Sequence, residues 1–486
     1  MMVSVHPSPC PSPAGRGDPG TGIATRGPWC ASPLPWERDS PRIKSGGRGW
    51  VVALCSFVVL SLAFHPARAI DIQRVTGASG VEAWLVEDRS VPVVSVSIAF
   101  RGGSTLDPAG KEGLADMVAS LLDEGAGELA SQAFQAALED IAAGVGFNAG
   151  RDNFSGSLRT LAAERDNSFD LFRLALTAPR FDPEPVARVR AQIIANLRRQ
   201  SENPRRIASE TWFRTVFPDH PYGRPGDGTP ESVATITAED LRGFVASRLA
   251  RENLVVGVVG DIGAGELAGR LDALFGALPA KPASVSVPPA EISGAGRVIV
   301  VKKPIPQSVV TFGQKGIKRD DPDWYAATIM NRVLGDGGFF SRLTEEVREK
   351  RGLAYSVSAS LAPMEHAGLI IGGVATRNDA VAQSLEIVRA EWRRMAEGGV
   401  TDAELANAKT YITGSFPLRL DSSRRIADIL VSVQLDRLGI DYLNRRNEII
   451  DAVTRDHVAR TAKRLLDPAA LTVVVVGDPQ GVATAP

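Results

Sequence analysis

The sequence predicts an α+β fold of two homologous domains, each a sheet with helices packed on one face, joined by a linker. Three observations carry this. First, two segments recur 217 residues apart. Thr237-Ala238-Glu239-Asp240-Leu241 and the later run 253–261 (NLVVGVVGD) match Thr454-Arg455-Asp456-His457-Val458 and the later run 471–478 (LTVVVVGD). The same spacing carries Arg297-Val298-Ile299 onto Gly80-Val81-Glu82 and, within one residue, Val309-Val310-Thr311-Phe312 onto the strand at Val93. A spacing held over this length is a duplication, and copies of ~200 residues are domains rather than solenoid units. Second, hairpin-like strands and grouped helices within each copy are the pattern of a sheet covered on one face. Third, residues 281–296 are rich in Pro, Ala, Ser and Gly with few charges, the composition of a linker.

The first copy spans 70–280. Strands are expected near 81–87, 93–101, 151–160 and 254–260. The segment 93–100 is an apolar run ending at Gly102-Gly103, and 151–160 alternates as a half-exposed strand does. Helices are expected near 110–124, 130–143, 163–178, 183–200, 205–216 and 237–248, with Asp182-Pro183 opening one of them. The second copy spans 297–486. Strands are expected near 297–302, 308–314, 354–361, 367–374 and 471–477. Helices are expected near 322–334, 339–350, 378–397, 401–413, 422–435, 440–449 and 454–466, and Thr401-Asp402-Ala403-Glu404 reads as a capping box.

The beginning of the chain differs from the rest. Residues 1–49 are rich in Pro, Gly, Ser and Arg without an apolar period, and such a segment is expected to be disordered. Residues 50–69 read as a secretory signal peptide: Lys44 and Arg48 precede an apolar run from Trp50 to Phe64, and Ala67-Arg68-Ala69 supplies the A-x-A cleavage site. The run is shorter than the ~20 residues of a spanning helix. Cleavage after Ala69 predicts a periplasmic protein with no membrane association. The polar preface points to a start assigned too far upstream. All three cysteines, Cys10, Cys30 and Cys55, precede Ala69, so the processed chain has no disulfide, thiolate nucleophile or Cys-ligated metal. Formal net charge is -1 and no Lys/Arg run is present, which argues against a nucleic-acid partner.

The stretch 113–124 has the layout of a helix carrying a metal site. Such a site needs two His at i and i+4 and a carboxylate beside them, as H-x-x-E-H supplies. The positions here hold Asp116-Met117-Val118-Ala119-Ser120. Asp116 and Asp123 stand about 10 Å apart along a helix axis, too far to share one ion. Past Ala69 the histidines are His220, His366 and His457, with no i, i+4 pair, and they read as surface or packing residues. The apolar residues Leu114, Met117, Val118, Leu121 and Leu122 keep a helical stripe, so the helix is expected without its chemistry.

The chain resembles the insulinase/pitrilysin-type zinc peptidase family, in particular its two-domain bacterial and mitochondrial members. The resemblance rests on Phe100-Arg101-Gly102-Gly103-Ser104 with Gly113-Leu114-Ala115, on Pro221-Tyr222-Gly223, and on Ser341-Arg342-Leu343 followed by Val347-Arg348-Glu349-Lys350-Arg351-Gly352-Leu353-Ala354-Tyr355. It implies a degenerate metal motif at Asp116, Ala119 and Ser120. The family's further metal-binding Glu falls near Asn196, where residues 186–200 contain no Asp or Glu. It also implies that Arg348 and Tyr355 grip a substrate backbone, the helix before them being closed by Gly352. Gly335, Gly337 and Gly338 stand where non-catalytic partner subunits of this family carry a longer, substrate-contacting glycine loop. The implied function is a non-catalytic, substrate-gripping subunit of a heterodimeric zinc endopeptidase. Its partners are then a peptide and a homologous subunit with H-x-x-E-H, and zinc is expected in that subunit and not in this chain. The competing reading is a structural or assembly scaffold of the same fold with no part in proteolysis.

Overall fold

The structure, a computed structural model, describes residues 70–485. The expected leader at 50–69 and the preface before it lie outside the described residues. The first domain's strands are β1 (Gln73–Thr76), β2 (Glu82–Glu87), β3 (Val93–Arg101), the short pair β4 (Gly125–Ala126) and β5 (Leu129–Ala130), β6 (Gly144–Ala149), β7 (Asn153–Leu161) and β8 (Leu254–Gly260). The second domain's are β9 (Val298–Lys302), β10 (Gln307–Lys315), β11 (Ala354–Pro363), β12 (Gly368–Arg377) and β13 (Thr472–Gly477).

The two main sheets share one topology. The first has the order β1-β2-β8-β3-β7-β6, and the second reads β9-β13-β10-β12-β11 in the same direction. Pairing type agrees strand for strand. β2/β8 and β9/β13 are parallel, and every other neighbouring pair is antiparallel. The duplication read from the repeated segments is therefore a duplication of the fold, with β1 added to the first copy.

The first domain's helices are α1 (Leu114–Ala119), α2 (Ser131–Asp140), α3 (Arg165–Thr177), α4 (Pro183–Gln200), α5 (Pro204–Val216), α6 (Pro230–Thr235), α7 (Ala238–Arg248) and α8 (Ala264–Phe275). The second domain's are α9 (Trp324–Asn331), α10 (Val381–Gly398), α11 (Asp402–Gly414), α12 (Ser423–Leu435), α13 (Tyr442–Asp451) and α14 (Arg455–Leu465). Alternation along β3 sorts the two faces of the first sheet. Val94, Val96, Ile98 and Phe100 enter the core with Met117, Val118, Phe172, Phe244 and Leu271. Phe312, Val473 and Val475 do the same in the second domain with Val347, Val388 and Trp392.

The opposite face of each sheet is covered by a helix from the other domain. Helix α12 lies on β3 and β8. Ser97 donates to the Asp428 carboxylate at 2.5 Å, and Arg101 donates to the carbonyls of Gln434 and Leu435. Gly257 makes the approach possible: a Cβ there would stand 2.6 Å from the Ala427 carbonyl. Helix α5 lies on β10 and β13 in turn, with the buried Trp212 donating Nε1–H to the Thr472 carbonyl at 3.1 Å. The segment between the domains is pinned by Ala283, Ala290 and Ser293, whose N–H groups reach Ser247, His366 and Val216.

Several expectations change. The helix expected over 110–124 is regular only over Leu114–Ala119 and then turns toward Gly125, which has φ +108°. The segment expected as one helix over 339–350 is a tight turn at Gly338–Phe340 followed by a wide π-type turn at Thr344–Glu349. Strands β1 and β6 and helices α6 and α8 were not expected. β6 (GVGFNA) is glycine-rich and acquires strand structure by pairing with β7. α8 carries Gly265 and Gly269, poor helix formers, yet it buries Leu267, Leu271, Leu274 and Phe275.

Candidate functional site

Helix α1 is firmly built. Gly113 precedes it with φ +93°, and a Cβ there would meet the Asp227 carbonyl at 2.7 Å. The Asp107 carboxylate accepts from the Ala115 N–H at 3.2 Å, which satisfies one of the free donors of the first turn. Asp107 is buried and pairs with Arg248 at 3.2 Å. Burial pushes its carboxyl up to about 6, against the pull of that guanidinium.

The positions of the H-x-x-E-H pattern have other uses here. Ala119 buries its methyl in the core. The Ser120 hydroxyl donates back to the Asp116 carbonyl at 3.0 Å. Asp116 is half-buried, and burial followed by the nearby charge of Asp227 raises its pKa. Asn196, near the position of the family's further Glu, is exposed beside Arg199. Burial raises the Asp123 carboxyl. Burial works the same way on Glu124, but bonds from Arg188 and Ser131, each 2.6 Å, hold that carboxyl low. Among the described residues no group of three or more His, Cys, Asp or Glu could hold a metal ion. A methyl, a back-bonded hydroxyl and a single half-buried carboxylate do not fit zinc.

His220 and His366 belong to a different cluster. The Tyr222 hydroxyl donates to Asp152 at 2.7 Å and accepts from the His366 N–H, while Asp152 also accepts from the Glu365 N–H. His220 accepts the Tyr222 N–H at Nδ1, so Nε2 carries the proton that reaches the Pro288 carbonyl at 3.0 Å. Burial lowers the His220 pKa, in keeping with a neutral ring. Pro221-Tyr222-Gly223 thus joins first domain, linker and second domain. His457 is exposed on α14.

The second-domain site follows α9. A π-type turn at Arg332–Asp336 leads to the glycines. Gly335 is buried, and a Cβ there would press on the Ala359 backbone at 2.7 Å; at Gly337 it would meet the Arg332 carbonyl at 2.6 Å. Packing accounts for both glycines. Gly338 is exposed with φ +55° and open space around it. The Ser341 hydroxyl donates to the Gly338 carbonyl and closes the turn. Arg342 is buried and forks onto Glu404 with two 2.7 Å bonds, with a third bond to the Gly399 carbonyl. Burial alone would raise the Glu404 carboxyl; Arg342 and the Thr401 N–H overcome it and hold it at about 2.

Arg348 lies in the wide turn at Thr344–Glu349, and the Gly352 N–H, at φ +59°, closes that turn on the Arg348 carbonyl at 2.9 Å. Tyr355 falls where the β11/β12 register shifts between Ala354 and Val357, a bulge that re-aims side chains. It is 81% exposed. The guanidinium carbon of Arg348 stands 4.7 Å from the Tyr355 ring centre and 4.5 Å from that of Phe339. The structure therefore brings Arg348 and Tyr355 together, the cation stacking on the Tyr355 and Phe339 rings. Glu349 pairs with the Arg348 Nε at 3.3 Å, and stacking orients the guanidinium while leaving its two terminal amino groups able to donate. Phe339 and Phe340, 64% and 91% exposed, escaped the sequence reading. Their signal was an adjacent aromatic pair in a glycine-rich segment with no apolar period.

Two domain profiles match this chain: Insulinase (Peptidase family M16) over residues 83–229 and Peptidase M16 inactive domain over residues 235–412. A Helicobacter pylori protein named a non-peptidase homolog is 30% identical over 354 residues, 73% of this chain and 81% of that protein. A Streptomyces coelicolor protein named an uncharacterized zinc protease is 30% identical over 317 residues, 63% of this chain and 68% of that protein. The crystal structure of a peptidase M16 inactive domain from Pseudomonas fluorescens superposes with a TM-score of 0.80 at 29% identity, covering 86% of this chain and 99% of that one. Likeness to proteins described as non-peptidase and inactive agrees with the altered residues of α1.

Proposed function

We propose a role for this chain, which belongs to the M16 (insulinase) peptidase family: it is the non-catalytic, substrate-gripping subunit of a heterodimeric zinc endopeptidase. One observation carries the reading. Tyr355 is held at the surface against the half-buried Arg348, whose carboxylate partner is its exposed chain neighbour Glu349 at 3.3 Å, whereas a purely structural pair would be buried together inside the fold. The Arg348 guanidinium and the Tyr355 hydroxyl would donate to main-chain carbonyls of an extended peptide and hold it in register. Ala119 stands where H-x-x-E-H has its carboxylate base, so proton transfer and metal binding fall to a homologous partner carrying that motif, with zinc in that partner. The signal peptide read from the sequence at 50–69 would carry this chain to the periplasm.

Peptide hydrolysis is measured for this chain, for a partner with H-x-x-E-H, and for the two mixed. The proposal expects chelator-sensitive hydrolysis from the mixture and none from this chain alone. Chelator-sensitive hydrolysis by this chain alone would overturn it.

A further inference from the structure

The turn that carries Phe339 and Phe340 is built to display them. Gly337 is buried beneath it, Gly338 takes a positive φ, the Phe340 N–H bonds the Gly337 carbonyl, and the Ser341 hydroxyl bonds the Gly338 carbonyl. At 91%, Phe340 is the most exposed large apolar side chain among the described residues. Such exposure on a held turn marks a surface that is covered when occupied.

Resting on the gripping role above, we infer that Phe339 and Phe340 form an apolar subsite selecting peptides with a bulky apolar side chain beside the gripped backbone. Phe339 stacks on the same guanidinium as Tyr355, so whatever covers the rings also meets Arg348. Glu349 takes the Nε of that guanidinium, so the occupant must offer acceptors to its terminal amino groups and apolar surface to the rings at once. An extended peptide does both through its carbonyls and its alternate side chains. β11, which begins at the bulge of Tyr355, is the terminal strand of its sheet and can accept a further strand. A flat protein surface seated on the rings would offer apolar contact and leave those terminal amino groups unmatched.

The test uses two fluorescently labelled ten-residue peptides that differ only in a central Phe or Ser, titrated against the full chain by anisotropy. The Phe peptide is expected to bind about tenfold more tightly. Phe340→Ala is expected to bring the ratio near one without changing binding of the Ser peptide. The side chain is exposed, so folding is unaffected. Arg348→Ala is expected to weaken both peptides equally. If Phe340→Ala keeps the ratio, the subsite is overturned while the gripping role stands. If Arg348→Ala changes neither peptide, or neither binds the native chain, the gripping role falls and the subsite with it. If Phe340→Ala changes the sedimenting species and not the ratio, the rings are an interface between copies and the inference is overturned.

Discussion

The two domains share strand order, pairing and a helix exchanged across the opposite sheet, yet they differ in where their polar residues work. In the first domain the residues of and beside α1 serve the fold. Ala119 packs in the core, Ser120 bonds its own helix, and Asp107 caps the helix start. In the second domain the internal charge is the Arg342–Glu404 fork, while Tyr355 and the two phenylalanines face solvent around the half-buried Arg348. Duplication preserved the scaffold twice. Residues kept at the surface of one copy without a packing role are therefore candidates for function.

The sharpest way to separate the domains is to remove each buried ion pair. Asp107→Ala leaves Arg248 buried without its partner and uncaps α1, and should cost about 3–5 kcal/mol in urea unfolding. Peptide binding at the second domain should survive wherever the variant is folded. Next in size is an opposed pH response. Asp107 has its folded pKa raised to about 6, so the pH-dependent part of its contribution to stability is full below its ordinary value near 4 and is lost as pH rises through about 6. Glu404 is lowered to about 2, so its contribution is present above the ordinary value of 4.5 and is lost as pH falls toward 2. Urea midpoints against pH should lose the upper dependence in Asp107→Asn and the lower one in Glu404→Gln; unchanged profiles would break the comparison.

A smaller effect is expected where the domains meet. Gly257→Ala places a Cβ against α12 and should cost about 1–3 kcal/mol by overpacking, seen as a lower urea midpoint. The smallest concerns the exposed pair. Tyr355→Ala should change stability by less than about 0.5 kcal/mol, because the side chain touches little besides Arg348.

Much of the scaffold was legible because it is local or periodic. The apolar runs at 93–101, 254–260 and 472–477 became strands, and the constant spacing between copies foretold the shared topology. The altered motif was legible because H-x-x-E-H is a fixed pattern. The exchange of α5 and α12 was not, since an apolar helical stripe does not say which sheet it will cover. β6 was missed because its glycines weaken the strand signal. The roles of Asp107 and Glu404 depend on partners 141 and 62 residues away along the chain. The stacking of Arg348 on Phe339 and Tyr355 depends on a bulge, a tight turn and a wide π-type turn that no residue pattern announced.

The central claim is that the exposed pair serves peptide cleavage rather than the fold. It is tested by hydrolysis in the reconstituted complex with Arg348→Ala/Tyr355→Ala in this chain, after sedimentation has shown that the complex still forms. A fall of about 100-fold with unchanged assembly is the predicted result. Undiminished hydrolysis would contradict the account and leave this chain a scaffold.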